Sequence, residues 1–155
     1  MLRLSKKTDY ALLAMRHLAA HVDRGAVSAR ELAETYDIPA ELLAKVLQKL
    51  VKGKLLESQQ GIRGGYALAK PATAMSVADV IQAVDGPLMV TACSEHDASC
   101  DQYSKCNIRD PLWRIKDRIV ATLAATSVAE LAIEMAVPTP PLTPGTIPIQ
   151  MVRRT

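Results

Sequence analysis

The chain has 155 residues, 49% of them hydrophobic, with 19 Lys or Arg against 16 Asp or Glu and a formal net charge of +3. That length and apolar share suit one body with a respectable core and exclude a chain disordered over most of its length. No run of about 18 uncharged apolar residues offers a membrane span, and "MLRLSKKTDYALLAMRHLAAH" is an amphipathic pattern broken by charge, unlike a signal peptide, so a cytoplasmic location without membrane contact is expected.

The charge is unevenly spread. Residues 1–72 carry 12 Lys or Arg against 7 Asp or Glu, whereas residues 73–137 carry 5 against 9. A polyanion would bind the first half.

In chain order, apolar residues at Leu12, Leu13, Met15, Leu18 and Ala19 predict a helix from Lys6 to about His21, ending at the Asp23, Gly25 turn. "SARE" follows, with Ser28 set to cap the free amides and Glu31 to reach back, opening a short helix over Ala29 to Tyr36. A few turn residues later, Pro39 stands at a helix start and Leu42, Leu43, Val46, Leu47 and Leu50 form an apolar stripe that Gly53 stops. Two short helices joined by a tight turn, the second exposing Glu41, Ala44, Lys45, Gln48, Lys49 and Lys52, read as a helix-turn-helix. "KLLESQQGIRGGYALAK" alternates around Gly61, Gly64 and Gly65 and reads as a β-hairpin, the position of a wing, with Arg63 at its tip.

Beyond Pro71, Ser76 caps a connecting helix whose Val77, Val80, Ile81 and Val84 share one side and which stops at Asp85, Gly86 and Pro87. All three cysteines then fall in "CSEHDASCDQYSKC". After them, "PLWRIKDRIVATLAATSVAELAIEM" sets Leu112, Ile115, Ile119, Leu123 and Val128 at helical spacing. This reads as one long helix whose stripe needs a partner, best supplied by the same helix of a second subunit. "PTPPLTPGTIPIQMVRRT" holds five of the nine prolines and no apolar period, and reads as a tail in which Arg153 and Arg154 are the only charges. The fold class is therefore mainly α with a small β-hairpin wing: a winged helix-turn-helix domain over 1–72, a cysteine loop and dimerisation helix over 73–137, and a flexible proline-rich tail over 138–155.

The series "LSKKTDYALLAMRHLA", "GIRGGYALAKP", "SVADVIQAVDGP" and C-x6-C-x5-C before a Trp-containing helix resembles the Rrf-two superfamily of winged-helix transcription regulators over about residues 1 to 135. Within it the cysteine segment looks most like the branch that regulates SUF operons. The resemblance implies a homodimer on double-stranded promoter DNA, with the second helix of the motif in the major groove and the wing in the adjacent minor groove. It also implies that the cysteine loop of one subunit sits near the first helix of the other.

The three cysteines leave several readings open. A disulfide leaves one thiol over in a reducing compartment. Zinc accepts mixed sulfur and nitrogen ligands, although spacings of six and five residues are wide for a knuckle. Thiol oxidation or an inert role needs no metal. The reading that the resemblance implies is an iron-sulfur cluster held by Cys93, Cys100 and Cys106, 2Fe-2S in preference to 4Fe-4S. The fourth ligand departs from the family's patterns: where the IscR-type branch has a His three residues after the last cysteine, this chain has Arg109. The first-helix Asp of NsrR-type members is matched by Asp9, followed as candidates by His96 and then Glu95 or Asp97.

By analogy with other helix-turn-helix proteins, Glu41, Lys45 and Gln48 are the candidate base readers, and Lys49, Lys52 and Lys54 the phosphate contacts. Ser28, at the start of the preceding helix, and Arg63 complete the expected DNA-contacting set. The family's Arg before the first wing glycine is Gln60 here, so Arg63 is assigned to the minor groove or phosphate. The rival reading is a cofactor-free regulator controlled by thiol oxidation or a protein partner. No nucleophile and base pair forms a recognisable catalytic motif, so no enzyme is expected.

Overall fold

Ser5 opens the first helix: its Oγ accepts the Thr8 amide at 3.2 Å, and α1 runs over Lys6–Ala20. These and the following contacts come from a computed structural model that describes residues 3–62, 64–90 and 100–133. The tail assigned to 138–155 lies outside the described residues. The buried face of α1 is Thr8, Ala11, Ala14, Met15, His17 and Leu18, a period of three and four that turns one stripe into the core.

A 3-10 turn at Val22–Arg24 leads to α2 (Ala29–Thr35), where Ser28 Oγ accepts the Glu31 amide at 3.1 Å, the Ser28 half of the expected capping box. The turn that follows is made by Asp37 in the left-handed region (φ 51°) and by the Ile38 amide donating to the Ala33 carbonyl at 2.9 Å, which buries Ile38. Pro39 then caps α3 (Ala40–Lys52), whose Leu43, Val46, Leu47 and Leu50 are buried.

The end of α3 corrects the reading of Gly53. The left-handed residue is Lys54 (φ 58°), with the Leu55 amide donating to Leu50 and the Lys54 amide to Val51, whereas Gly53 has φ −74°. Glycine is needed at 53 for space, since a Cβ there would lie 2.8 Å from Ala83 Cβ.

Strands β1 (Leu56–Gln59) and β2 (Gly65–Leu68) pair antiparallel with Leu56 opposite Leu68 and Gln59 opposite Gly65. The hairpin is pinned to the helices by a bridge in which Val27 and Tyr66 exchange amide-carbonyl bonds of 3.0 and 2.8 Å. A Cβ on Gly65 would overlap the Val27 carbonyl and come within 2.9 Å of the Ser28 amide, so only glycine fits that crossing.

After a 3-10 turn at Ala72–Ala74, α4 (Val77–Asp85) opens on a full capping box between Ser76 and Asp79. The predicted single long helix is two. α5 (Arg109–Ala125) ends at Thr126, and Ser127 with Glu130 forms a second capping box that opens α6 (Val128–Ala132). The break lets the chain return: Val77 donates to the Thr126 carbonyl and Val128 to that of Met75, so Val128 is buried in the core while α6 packs on α1. Val128 therefore leaves the stripe that was expected to run along one helix. The core gathers residues of α1, α2, α3, β1 and α4 around Met15, Leu32, Leu47, Leu50, Leu56 and Met75.

Candidate nucleic-acid interface and cysteine segment

The helix that buries Leu43, Val46, Leu47 and Leu50 must present the residues between them to solvent, and Glu41, Lys45, Gln48 and Lys52 are exposed there. Their spacing of four, three and four keeps them on one face. Lys49 is placed differently. Its Nζ donates to the Val84 carbonyl at the end of α4 at 2.6 Å, a cation satisfying a helix C-terminus. Ser28 Oγ is engaged as the cap of α2, which holds the helix before the recognition helix in place. Lys54 is exposed at the turn into β1. Arg63 lies outside the described residues.

At the wing, the Gly64 amide donates to the Gly61 carbonyl at 2.9 Å, and Gly61 has φ 122°. The tip is pinched, because a Cβ on Gly64 would stand 2.6 Å from the Gln59 carbonyl oxygen.

Of the expected cluster ligands, Cys93 and His96, with the trailing Glu95 and Asp97, lie outside the described residues. Cys100 is exposed and Cys106 half-buried, both free thiols, on a turn where the Tyr103 amide donates to the Cys100 carbonyl at 2.9 Å. Asp9 is exposed in the first turn of α1. Among the described residues no group of three or more His, Cys, Asp or Glu is gathered as a metal site. Two unpaired thiols on an accessible turn are a donor set that suits a soft metal centre.

Arg109, in the position where a ligand was sought, is held as a structural cation. Its guanidinium lies 4.5 Å from the Tyr103 ring centroid and 5.6 Å from that of Trp113, Nε donates to Asp110 Oδ1 at 2.9 Å, and Nη1 donates to the Tyr103 carbonyl at 3.4 Å. The Asp110 hydrogen bond raises its pKa against the opposing effect of burial, with further support from the charges of Asp110, Tyr103 and Cys106.

Two further groups were not singled out from the sequence. Asp85, read only as a helix stop, accepts the Ser5 hydroxyl at 2.8 Å, the Thr8 hydroxyl at 2.7 Å and the Ser5 amide at 3.3 Å, tying the end of α4 to the start of α1. Burial pushes its carboxyl up, but the hydrogen bonds from Ser5 and Thr8, with the Lys49 charge, hold it below its usual range. His17, on the core side of α1, is 7% exposed. It stacks on His21 at 4.4 Å and meets the Tyr36 hydroxyl through Nδ1 at 3.0 Å. Burial, and then the nearby His21, lower its pKa.

α5 is the outlier in packing. None of its 17 residues is buried, and Leu112, Ile115, Ile119 and Leu123 form a partly open apolar stripe, with Ile115 47% exposed.

Over residues 4–134 the chain matches the Rrf2 family, described as iron-dependent transcriptional regulators, and it belongs to that family. It is 35% identical over 131 residues to the HTH-type transcriptional regulator IscR of Photorhabdus laumondii, a match covering 84% of this chain and 79% of the relative. Among solved structures, CymR, the global cysteine regulator of B. subtilis, is similar with a TM-score of 0.71 at 27% identity, covering 85% of this chain and 97% of the other. IscR of T. potens has a TM-score of 0.66 at 27% identity, covering 84% and 85%. The protein is thus a DNA-binding transcription regulator with a winged-helix fold, not an enzyme. Among the described residues no helix is long and apolar enough to cross a membrane.

Proposed function

We propose that this regulator acts as a homodimer on double-stranded promoter DNA, and that its affinity is set by an iron-sulfur cluster held through Cys93, Cys100 and Cys106. The observation that carries the reading is α5. A 17-residue helix with no buried residue and an apolar stripe is unfinished surface, and it begins three residues after the last cysteine. A second α5 completes the stripe and brings two cysteine segments to one interface. The family's description as iron-dependent supports an iron centre, and 2Fe-2S is the type proposed ahead of 4Fe-4S. Asp9 of the partner's α1 is the first choice for the fourth ligand and His96 the second.

A bound cluster would supply a centre sensitive to oxidants and to iron supply. The chain's own residues do the rest. Glu41, Lys45 and Gln48 stand ready for base edges, Lys52 and Lys54 for phosphate, Ser28 holds the start of α2, and Arg63 is assigned to the wing contact. Lys49 is kept as a phosphate candidate only in so far as it can leave the Val84 carbonyl.

The test is anaerobic purification followed by absorption spectra and quantification of iron, acid-labile sulfide and zinc, on wild type and Cys93→Ala, with duplex binding measured on each form. Matched iron and sulfide that vanish in the variant, with affinity following the cluster, support the reading. Identical binding with and without cluster ends it. A second reading is a cofactor-free regulator governed by thiol oxidation or a protein partner; the similar CymR is a cysteine regulator, and a CymR of Staphylococcus aureus has been solved in an oxidized form. A metal-free protein after reconstitution, with binding altered by peroxide, would select thiol oxidation.

A further inference from the structure

The most exposed large hydrophobic side chain among the described residues is Ile62, at 107% of its reference area, on the apex of the wing. A lone exposed aliphatic is ordinary on a protein surface, so its place is what matters. The apex is a tight turn from Gly61 to Gly64, closed by the 2.9 Å amide-carbonyl bond between them. Glycines at 61, 64 and 65 strip the tip of side-chain bulk except at 62 and 63. β-branched residues are poor choices for turns, and among the described residues this one is fully exposed.

The base of the wing is tied to the helices. The β1–β2 ladder and the Val27–Tyr66 bridge fasten the hairpin one residue before Ser28, the cap of the helix-turn-helix. A glycine-rich turn that carries an exposed aliphatic residue suits a minor groove roughly 6 Å wide. Apolar side chains entering that groove from such elements part the stack between base pairs.

We propose that Ile62 is an apolar wedge, inserted from the wing at a base step in the minor groove, and that it bends the bound duplex and selects flexible steps beneath the wing. The inference rests on the DNA-binding reading and adds a residue that carries specificity without hydrogen bonds. The cost of unstacking is lowest at TA and CA/TG steps, which is how a wedge reads sequence. Adding a second charge at the tip would strengthen binding to any sequence, whereas an aliphatic discriminates by deformability.

The experiment uses the full chain and a duplex that the wild type selects from a randomised pool. Ends are labelled for energy transfer, and 2-aminopurine is placed at successive steps under the wing. The variants are Ile62→Ser and Ile62→Met, both at a fully exposed site. Wild type and Ile62→Met should brighten 2-aminopurine at one step and bend the duplex. Ile62→Ser should lose both signals and about tenfold in affinity, the scale of burying part of one aliphatic side chain. Wild type that binds its selected duplex with the same bend, fluorescence and affinity as Ile62→Ser overturns the wedge and leaves DNA recognition standing. Wild type that selects no sequence at all overturns the wedge together with the reading beneath it.

Discussion

Removing Asp85 should loosen two helices that are far apart in sequence. Its carboxylate accepts two hydroxyls at 2.7 and 2.8 Å and one amide at 3.3 Å, from Ser5 and Thr8, which lie 80 and 77 residues away. It also places negative charge at the start of α1, where the helix dipole favours it. Hydrogen bonds to a charged group contribute about 1.5–3 kcal/mol each when shielded. Asp85 is exposed on its outer side, so screening reduces the total to about 2 kcal/mol. Asp85→Ala also strips the fully buried Thr8 hydroxyl of its acceptor, which keeps the loss near that figure. Asp85→Asn retains one acceptor and should cost about 1 kcal/mol. The folded carboxyl sits below its ordinary value, so the ionised form's contribution is present above that value and is lost as pH falls through the folded pKa. Urea unfolding at fixed protomer concentration, from pH 7 down to about pH 3, measures both effects. A loss under about 0.5 kcal/mol for Asp85→Ala, or a gap between wild type and Asp85→Asn that does not narrow in acid, would refute the assignment.

Lys45→Ala should weaken binding to the selected duplex by about 1–3 kcal/mol while leaving random DNA nearly unchanged, and an equal loss on both would move Lys45 to the backbone. Lys49→Met keeps the aliphatic stem but removes the bond to Val84, so stability should fall by about 1 kcal/mol with the salt slope of DNA binding intact; a slope lower by about 1 would instead restore it as a phosphate contact. Gly65→Ala should cost about 2 kcal/mol or more, because the new methyl overlaps the Val27 carbonyl, and unfolding curves that match wild type would show that the wing can move away. For His17 the folded pKa is depressed, so stability is full above the ordinary histidine value of 6.5 and declines as pH falls below it toward the folded value, by at most about 1.4 kcal/mol per pH unit. His17→Leu should flatten that decline, and a wild-type stability that does not change between pH 7 and pH 5 would remove His17 from the account.

Local rules carried most of the architecture. Ser28 and Ser76 cap as read, the expected stripe is buried at Leu43, Val46, Leu47 and Leu50 with Leu42 half-buried, and the hairpin forms around its glycines, because caps, helical period and turn chemistry are written within a few residues. The break between α5 and α6 was local too: Ser127 and Glu130 spell a capping box, but the apolar spacing through Val128 masked it. What escaped depended on partners far along the chain. Gly53 is a glycine because of Ala83, Lys49 is oriented by Val84, Asp85 by Ser5 and Thr8, and His17 by Tyr36. Nothing in the spacing around any of these residues encodes its partner. At the candidate site, the exposure of Glu41, Lys45, Gln48 and Lys52 followed directly from the buried stripe, whereas the packing of Arg109 between Tyr103 and Trp113 required the turn that brings them together.

The end of α4 concentrates these long-range ties. Within two consecutive residues, the Val84 carbonyl receives Lys49 of the recognition helix and the Asp85 carboxylate holds the first turn of α1. The next residue, Gly86, turns with φ 82° into the stretch that leads to the cysteines, and α5, which leaves that stretch, packs back on α4. The described elements on either side of the cysteine segment, α4 and α5, thus pack together, and α4 also contacts α1 and α3. A rigid helix cannot shift one of its faces alone, because packed cores respond in discrete steps and not by continuous deformation. A displacement of α4 would bear on Lys49 through Val84 and on Ser5 and Thr8 through Asp85. Asp9 is the residue after Thr8, so the candidate partner ligand and the recognition helix share this one mechanical support.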